Sequence, residues 1–477
     1  MRSSSAPVLG QELPLSVDRA RQFVVHGWEK RHPECTLVLQ LPAPVAPEEV
    51  FLRLSDPARG AASLEAPDHQ RHALLWTSSE GTGFAGSGAA HHIRLEGPGR
   101  PETLRRRAQD LFDHLQVETV EGFVAPTPRL FGGLAFESGG ARESRWQAFG
   151  DGSFALPRWL YSRQGGQAFL SLASPPGEEI SPALLDELER LLVGLAAADQ
   201  RPVERSLPRA LRIEPLPRQR WAEQVEAIRD AIGDGRFQKI VAARRARVEF
   251  AGPLDPIALL ARLDGFNPRC RRFAFRRGES TFLGATPERL ISRRGARIET
   301  EALAGSIGGD RQQAATLLAS TKDQGEHALV VQHIVERLQP LCTALEWSPE
   351  PRIRELRNLL HLHTPIRGTL SSSSHILELV DRIHPTPAVG GVPAKEAVRW
   401  IAEHEACPRG WYAGPIGWFD ANGDGEFDVA LRSCLLSGNE ALLYVGAGIM
   451  LDSDPDLEYQ ETDLKQTSLL AALGVGE

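Results

Sequence analysis

The sequence predicts an α+β fold, and three observations carry that expectation. Helical and strand-like segments follow one another without the regular βαβ alternation of a doubly wound sheet. Up to about residue 215 the strand signals are short alternating runs bounded by turn residues. Beyond it the segments crowd together and include a hairpin.

In the first part, CTLVLQL (35–41) and HALLWTSS (72–79) alternate like half-buried strands, interrupted by helices at LRRRAQDLFDHL (104–115) and PALLDELERLLVGLA (182–196). SPPGEEISPA (174–183) and the Pro- and Arg-rich 197–219 read as loops or linkers and place a boundary near residue 215. Two regions, 1–215 and 216–477, are expected, packed as one globule. In the second, RWAEQVEAIRDAI (220–232) is helical, QKIVAARRARVEF is a strand, and TFLGATPERLISRRGARIETEAL (281–303) is a chain of strands and turns. TKDQGEHALVVQHIVERLQPL (321–341) is helical, capped by Ser320 or Thr321. YAGPIGWFDANGDGEFDVALRSCLL (412–436) is a hairpin turning near Gly423–Gly425, and ALLYVGAGIM (441–450) is a strand. The last helix covers 454–474, with Asp454 as N-cap, Pro455 in the first turn and Gly474 at its end. No internal repeat occurs.

Composition bounds the function. A net charge of −8 disfavours a general nucleic-acid binder, although a local basic pocket for a small anion remains compatible with it. No apolar run is long enough to span a membrane, and MRSSSAPVLGQELPLS lacks the apolar stretch of a secretory signal, so the cytoplasm is expected. Five scattered cysteines without a CxxC point to neither a disulfide framework nor a zinc site.

Two motifs are misleading. GTGFAG (81–86) matches GxGxxG, but SGAAHHIRLEG follows it, and no helix begins there to face a pyrophosphate. DANGDGEFD (420–428) begins like a calcium loop, yet its twelfth position is Leu431 where a bidentate Glu is needed, so a tight turn explains it better.

Asp323 and Glu326 share one helical face at i, i+3, as do Glu458 and Glu461, with Lys465 four residues beyond. These are either solvated faces or the carboxylates of a Mg²⁺ site, and spacing does not choose between them. In HLH (361–363), the two histidines lie on one side of a strand without a third nitrogen or sulfur ligand; His361 reads as a neutral hydrogen-bond donor and His363 as structural. Lys239 is the residue that stands out. Of 54 basic residues only Lys30, Lys239, Lys322, Lys395 and Lys465 are lysine. An amine inside an apolar strand either packs its stem along that surface or acts as a base, which a guanidinium cannot do.

The stretches FQKIVAAR, FLGATPERL, TEALAGS, KDQGEHALVV, LLHLHTPIRG, HPTPAVGG, RGWYAGPIGWFDANGDGEFDVALRS, YVGAGIMLDSDPDLEYQET and the Lys465 helix cover nearly all of 236–466. In this order they resemble the chorismate-utilising enzymes, and most of all the isochorismate synthases of menaquinone and siderophore biosynthesis. FGGLAFE (131–137) is similar to a block of menaquinone-type members. The resemblance implies large, mostly antiparallel β-sheets with helices on the outside. It implies a Mg²⁺-dependent enzyme in which chorismate loses its C4 hydroxyl while water adds at C2, with Lys239 as the water-activating base and Glu288 as the acid. It further implies Glu326 and Glu461 as principal Mg²⁺ ligands, with Asp323 and Glu458 around them through waters. Arg432 and Tyr412, beside the backbone of Gly446, Ala447 and Gly448, match positions that grip a substrate carboxylate, and His361, Thr386, Gly305 and Lys465 match pocket positions. Lys395 and Lys30 match no catalytic position and read as surface, while Lys322 is left open. Gln324, Gly325 and Ser306 depart from the usual residues, without removing a catalytic group.

Among relatives, the lysine at position 239 argues against an anthranilate synthase, and Ala304 stands where an aminodeoxychorismate synthase carries its nucleophilic lysine. A salicylate synthase, which goes on to eliminate pyruvate from isochorismate, shares the Lys239 and Glu288 types and stays open. A silent chorismate-binding module would not need base, acid and four carboxylates together. A monomer without a glutaminase subunit, binding neither nucleic acid nor membrane, is expected.

Overall fold

Strands from either side of residue 215 are hydrogen-bonded to one another. Ala73–Thr77 pairs antiparallel with Arg271–Arg277, and Arg129–Leu134 with Pro415–Asp420. The computed structural model describes residues 13–54, 71–78, 81–197 and 206–475. The expectations for residues 1–12, and for 198–205 of the linker, lie outside these.

Among the described residues, 21 strands join one hydrogen-bonded network, antiparallel in every pairing except that of Thr36–Pro42 with Leu115–Thr119. Eleven α-helices cover it. The α+β, mostly antiparallel expectation is borne out. The strand alternation separates two cores: Leu74, Trp76, Phe273 and Phe275 enter one, while Leu75, Ala274, Leu283 and Leu443 enter the other. The first is sealed by Trp221, Val225 and Ile228 of helix Arg218–Gly233 and by Val330, Ile334 and Leu338 of helix Thr321–Leu338. The second is sealed by Leu188, Leu191 and Leu195 of helix Pro182–Ala196 and Leu259 and Leu263 of helix Pro256–Phe266.

The two helices that carry the candidate metal carboxylates are capped as their sequences predict. Ser320 Oγ accepts from the Asp323 N–H at the start of Thr321–Leu338, and Asp454 accepts from Asp456 and Leu457 at the start of Pro455–Ala472. GTGFAG runs into the strand Gly83–Leu95, with no helix at the glycines. The acidic turn 420–425 joins two strands, Pro415–Asp420 and Gly425–Val429. Asp420 Oδ1 accepts from the Asn422 and Asp424 N–H groups, and Arg293 donates to Asp424 Oδ1 at 2.8 Å and to the Asn422 carbonyl at 2.9 Å. The cation served by this turn is the chain's own arginine. No helix of the described residues is long and apolar enough to cross a membrane, and all five cysteines are free.

Candidate active site

The strand Lys239–Phe250 pairs with Glu440–Ile449 in a register that sets Val241 opposite Gly448 and Ala243 opposite Gly446. These two strands form the floor of a cleft that opens to solvent. Helices Thr321–Leu338 and Pro455–Ala472 bring Glu326, Glu461 and Lys465 to one wall. Glu288, His361, Tyr412 and Arg432 converge from the other elements. Ten of the residues singled out in the sequence thus face one space: Glu288, Gly305, Glu326, His361, Tyr412, Arg432, Gly446, Gly448, Glu461 and Lys465.

The others stand behind that surface. Lys239 is completely buried and donates from Nζ to Glu326 Oε1 at 2.7 Å. Ala447 points into the core, as strand alternation requires between Gly446 and Gly448. Thr386 is buried behind a wall formed by Ala388 and Val389, and its Oγ1 has no hydrogen-bond partner. Asp323 and Glu458 sit one layer out, Asp323 on Ser320 and Glu458 on Ser453 and Lys322, each of the last two contacts within 2.8 Å. Lys322 is therefore a cross-link between the two acidic helices, whereas Lys30 and Lys395 are exposed.

Two glycines shape this wall. Gly305, at φ +73°, lies at a bulge where the strand Arg297–Gly308 slips against His361 and Leu362. A Cβ on Gly448 would stand 2.6 Å from Glu326 Oε1 and 2.7 Å from Lys239 Cε, so only glycine lets that pair close over the strand. Arg432 adopts a left-handed φ of +48°, uncommon for a side chain of its size, and its half-buried guanidinium meets His361 Nε2 at 3.4 Å. Burial and that guanidinium keep His361 neutral, well below its ordinary range.

The carboxyls differ in state. Burial, reinforced by the charge of Glu301, raises Glu288 to about 8 against the opposing Lys239 and Arg354. Glu288 is therefore a protonated acid at neutral pH. Burial opposes charge on Glu461 too, but Lys465, at 2.6 Å, and Ser306, at 2.9 Å, hold it below the ordinary carboxylate range. Burial and the Glu461 charge push Glu458 up. Burial likewise raises Asp323, with Glu326 and Glu461 adding to the shift.

The donor set fits a hard divalent cation. Two carboxylates, Glu326 and Glu461, open onto the same cleft from two helices, and their charge is met here only by amines and a hydroxyl. Among the described residues no three His, Cys, Asp or Glu side chains are gathered into a complete ligand set. Magnesium is commonly held by one or two carboxylates, the remainder of its shell being water and an anionic substrate.

Sequence reasoning missed Arg409 and Ser306 as site residues. Arg409 lines the cleft and is 1% exposed; it donates to Glu405 Oε2 at 2.8 Å and to the carbonyls of Val389 and Val241 at 2.7 and 2.9 Å, joining two walls. An arginine has no contrast in an arginine-rich chain, so the only signal was its place at the head of RGWYAG.

An antiparallel α+β fold with an acid, an amine, two carboxylates and a buried guanidinium around one anion-sized cleft defines a class. The chain belongs to the chorismate-binding enzymes: the family's sequence profile, described as a chorismate binding enzyme, matches residues 51–474. It is 37% identical over 415 residues to the salicylate biosynthesis isochorismate synthase of Pseudomonas aeruginosa, covering 85% of this chain and 86% of that protein. It is 35% identical over 368 residues to the isochorismate synthase MenF of Bacillus subtilis, covering 76% and 78% of the two chains. The solved structure of MenF, the menaquinone-specific isochorismate synthase from Escherichia coli, superposes with a TM-score of 0.75 at 28% identity, covering 96% of this chain and 99% of that one.

Proposed function

We propose that this protein is a Mg²⁺-dependent isochorismate synthase, acting as a monomer without a glutaminase subunit. The observation that carries the reading is a carboxyl at Glu288 held protonated at neutral pH in the same cleft as Arg432 and the Glu326–Glu461 pair, with the Lys239 amine against Glu326. Lys239 takes a proton from the water whose oxygen bonds to C2 of chorismate. Glu288 gives its proton to the C4 oxygen, which departs as water when the C4–O bond breaks. The two groups recover their starting protonation states through solvent, so the net change is an isomerisation. Arg432, Tyr412 and the backbone of Gly446–Gly448 hold one carboxylate of the substrate. Glu326 and Glu461 would hold the Mg²⁺, with Asp323 and Glu458 ordering its waters; when bound, the ion supplies the positive charge that fixes the ring carboxylate.

Purified protein incubated with chorismate and Mg²⁺, followed by separation of products, tests the reading. Isochorismate as the sole product, unchanged by ammonia, is expected. Salicylate plus pyruvate would instead assign the runner-up activity, and an aminated product an amine-installing one. No turnover under any of these conditions overturns the enzyme reading.

A further inference from the structure

The peptide units on both sides of Glu288 are held by one ion pair, Glu301–Arg354. Glu301, on the strand Arg297–Gly308, accepts from the Arg289 N–H at 2.9 Å, directly after the acid. The same Oε1 accepts from Arg354 Nη1 at 2.8 Å, and Arg354 Nη1 also donates to the Pro287 carbonyl at 3.0 Å, directly before the acid. The other oxygen, Oε2, accepts from His363 Nε2 at 2.9 Å, which leaves Glu301 satisfied on both sides. This bracket lies outside the catalytic cleft, in a second cavity behind Pro287, a residue that lines both spaces.

We infer that Glu301 is a positioning residue for the acid of the proposed reaction: with the arginine it carries, it fixes the backbone on either side of Glu288, and it sets its own negative charge beside that carboxyl. The inference rests on the proposed function for its kinetic test, though not for its structural one. Several charges face Glu288. Lys239 comes from the strand Lys239–Phe250, Glu301 from Arg297–Gly308, Arg354 from Arg352–Leu356 and Asp428 from Gly425–Val429. Tyr412 also lies within electrostatic range of the acid. Lys239 and Arg354 favour its anion, and Asp428 is itself pushed up to about 7 by burial. Glu301 is the reverse: burial disfavours its charge, but the His363 hydrogen bond and Arg354 overcome this and hold it down to about 2, so it is ionised wherever Glu288 must not be. A like charge beside an acid raises that acid's pKa.

The test uses full-length Glu301→Gln, Glu301→Asp and Arg354→Gln. Glu301→Gln keeps an acceptor for the Arg289 N–H, removes the charge and presents an amide N–H to His363 in place of an oxygen. Its alkaline limb of kcat/KM is expected to move toward acid by about one pH unit, a roughly fivefold loss at pH 8 with pH 6 nearly unaffected. Glu301→Asp keeps the limb in place. Arg354→Gln moves it the opposite way whatever its effect on the maximum rate, and serves alone if Glu301→Gln does not accumulate as folded protein. A uniform loss at every pH with unmoved limbs overturns the inference and leaves the proposed function standing. If the wild type turns nothing over, stability decides instead. The melting-temperature difference between Glu288→Gln and its parent, followed from pH 5 to 9, should be smaller in the Glu301→Gln background. Equal differences overturn the positioning role.

Discussion

Lys239 Nζ donates to Glu326 Oε1 at 2.7 Å, and this contact closes over the bare backbone of Gly448. The proposed base and one of the proposed metal ligands are thus ordered by the same glycine. Gly448→Ala forces the pair apart, because an added methyl would stand 2.6 Å from the carboxylate oxygen. A displacement of this kind costs on the order of 100-fold in rate. Circular dichroism should show an unchanged fold while product formation falls by about that factor.

Lys239→Arg keeps a nitrogen donor toward Glu326 but removes the amine, whose role as a base a guanidinium cannot take. Activity should fall by roughly 10²–10⁴-fold, the usual contribution of a general base. Product chromatography and a melting curve on the same preparation separate this from unfolding. An active Lys239→Arg would remove Lys239 from the base's role.

Glu288 links activity to pH and pH to stability. The proposed reaction uses its proton, so kcat/KM should fall as pH rises through about 8. The folded state holds that proton above the ordinary value of 4.5, so between 4.5 and 8 the folded chain binds more protons than the unfolded one. Stability is complete below 4.5 and is lost as pH rises to 8, by up to ~1.4 kcal/mol per pH unit from this group. Glu288→Gln abolishes activity and removes that loss, so denaturant titrations at pH 5 and 8 should show the variant gaining on the wild type at pH 8.

Mg²⁺ should raise the melting temperature, because an ion bound only by the folded state stabilises it increasingly, as the logarithm of its concentration once that exceeds Kd. The increase should vanish in Glu326→Gln and in Glu461→Gln, and chelation should stop turnover. A full thermal response in both variants would place the ion elsewhere.

Arg409 and Glu405 are buried together, and their pair joins two walls of the cleft. Arg409→Met leaves the Glu405 charge buried without its partner, which costs about 3–5 kcal/mol. Chemical denaturation should show that loss even where substrate is absent.

The helices at 182–196, 220–232, 321–338 and 455–472 were legible because caps and 3.6-residue periodicity are local properties. Lys239 was legible by contrast with an arginine-rich background. Its partner was not: Glu326 is 87 residues away, and only the packing of a helix over Gly448 brings the two together. The bracket around Glu288 is likewise a product of sheet register. Strand spacing tells which side chains share a face but not which neighbouring strand that face will meet. The acidic turn shows the converse case, since its carboxylates were visible but the arginine that satisfies them came from another strand.

The interleaving across residue 215 bears on how the chain is made. When the first 215 residues leave the ribosome, Ala73–Thr77 and Arg129–Leu134 can each pair on one edge, with Gly83–Leu95 and Gly152–Gln164, but the partner of the other edge has yet to be synthesised. Those strands wait with unpaired edges, the form in which nascent sheet proteins most readily stick to one another. Slowing translation after that point, or producing the leading segment alone, should therefore increase reliance on chaperones and the yield of insoluble material.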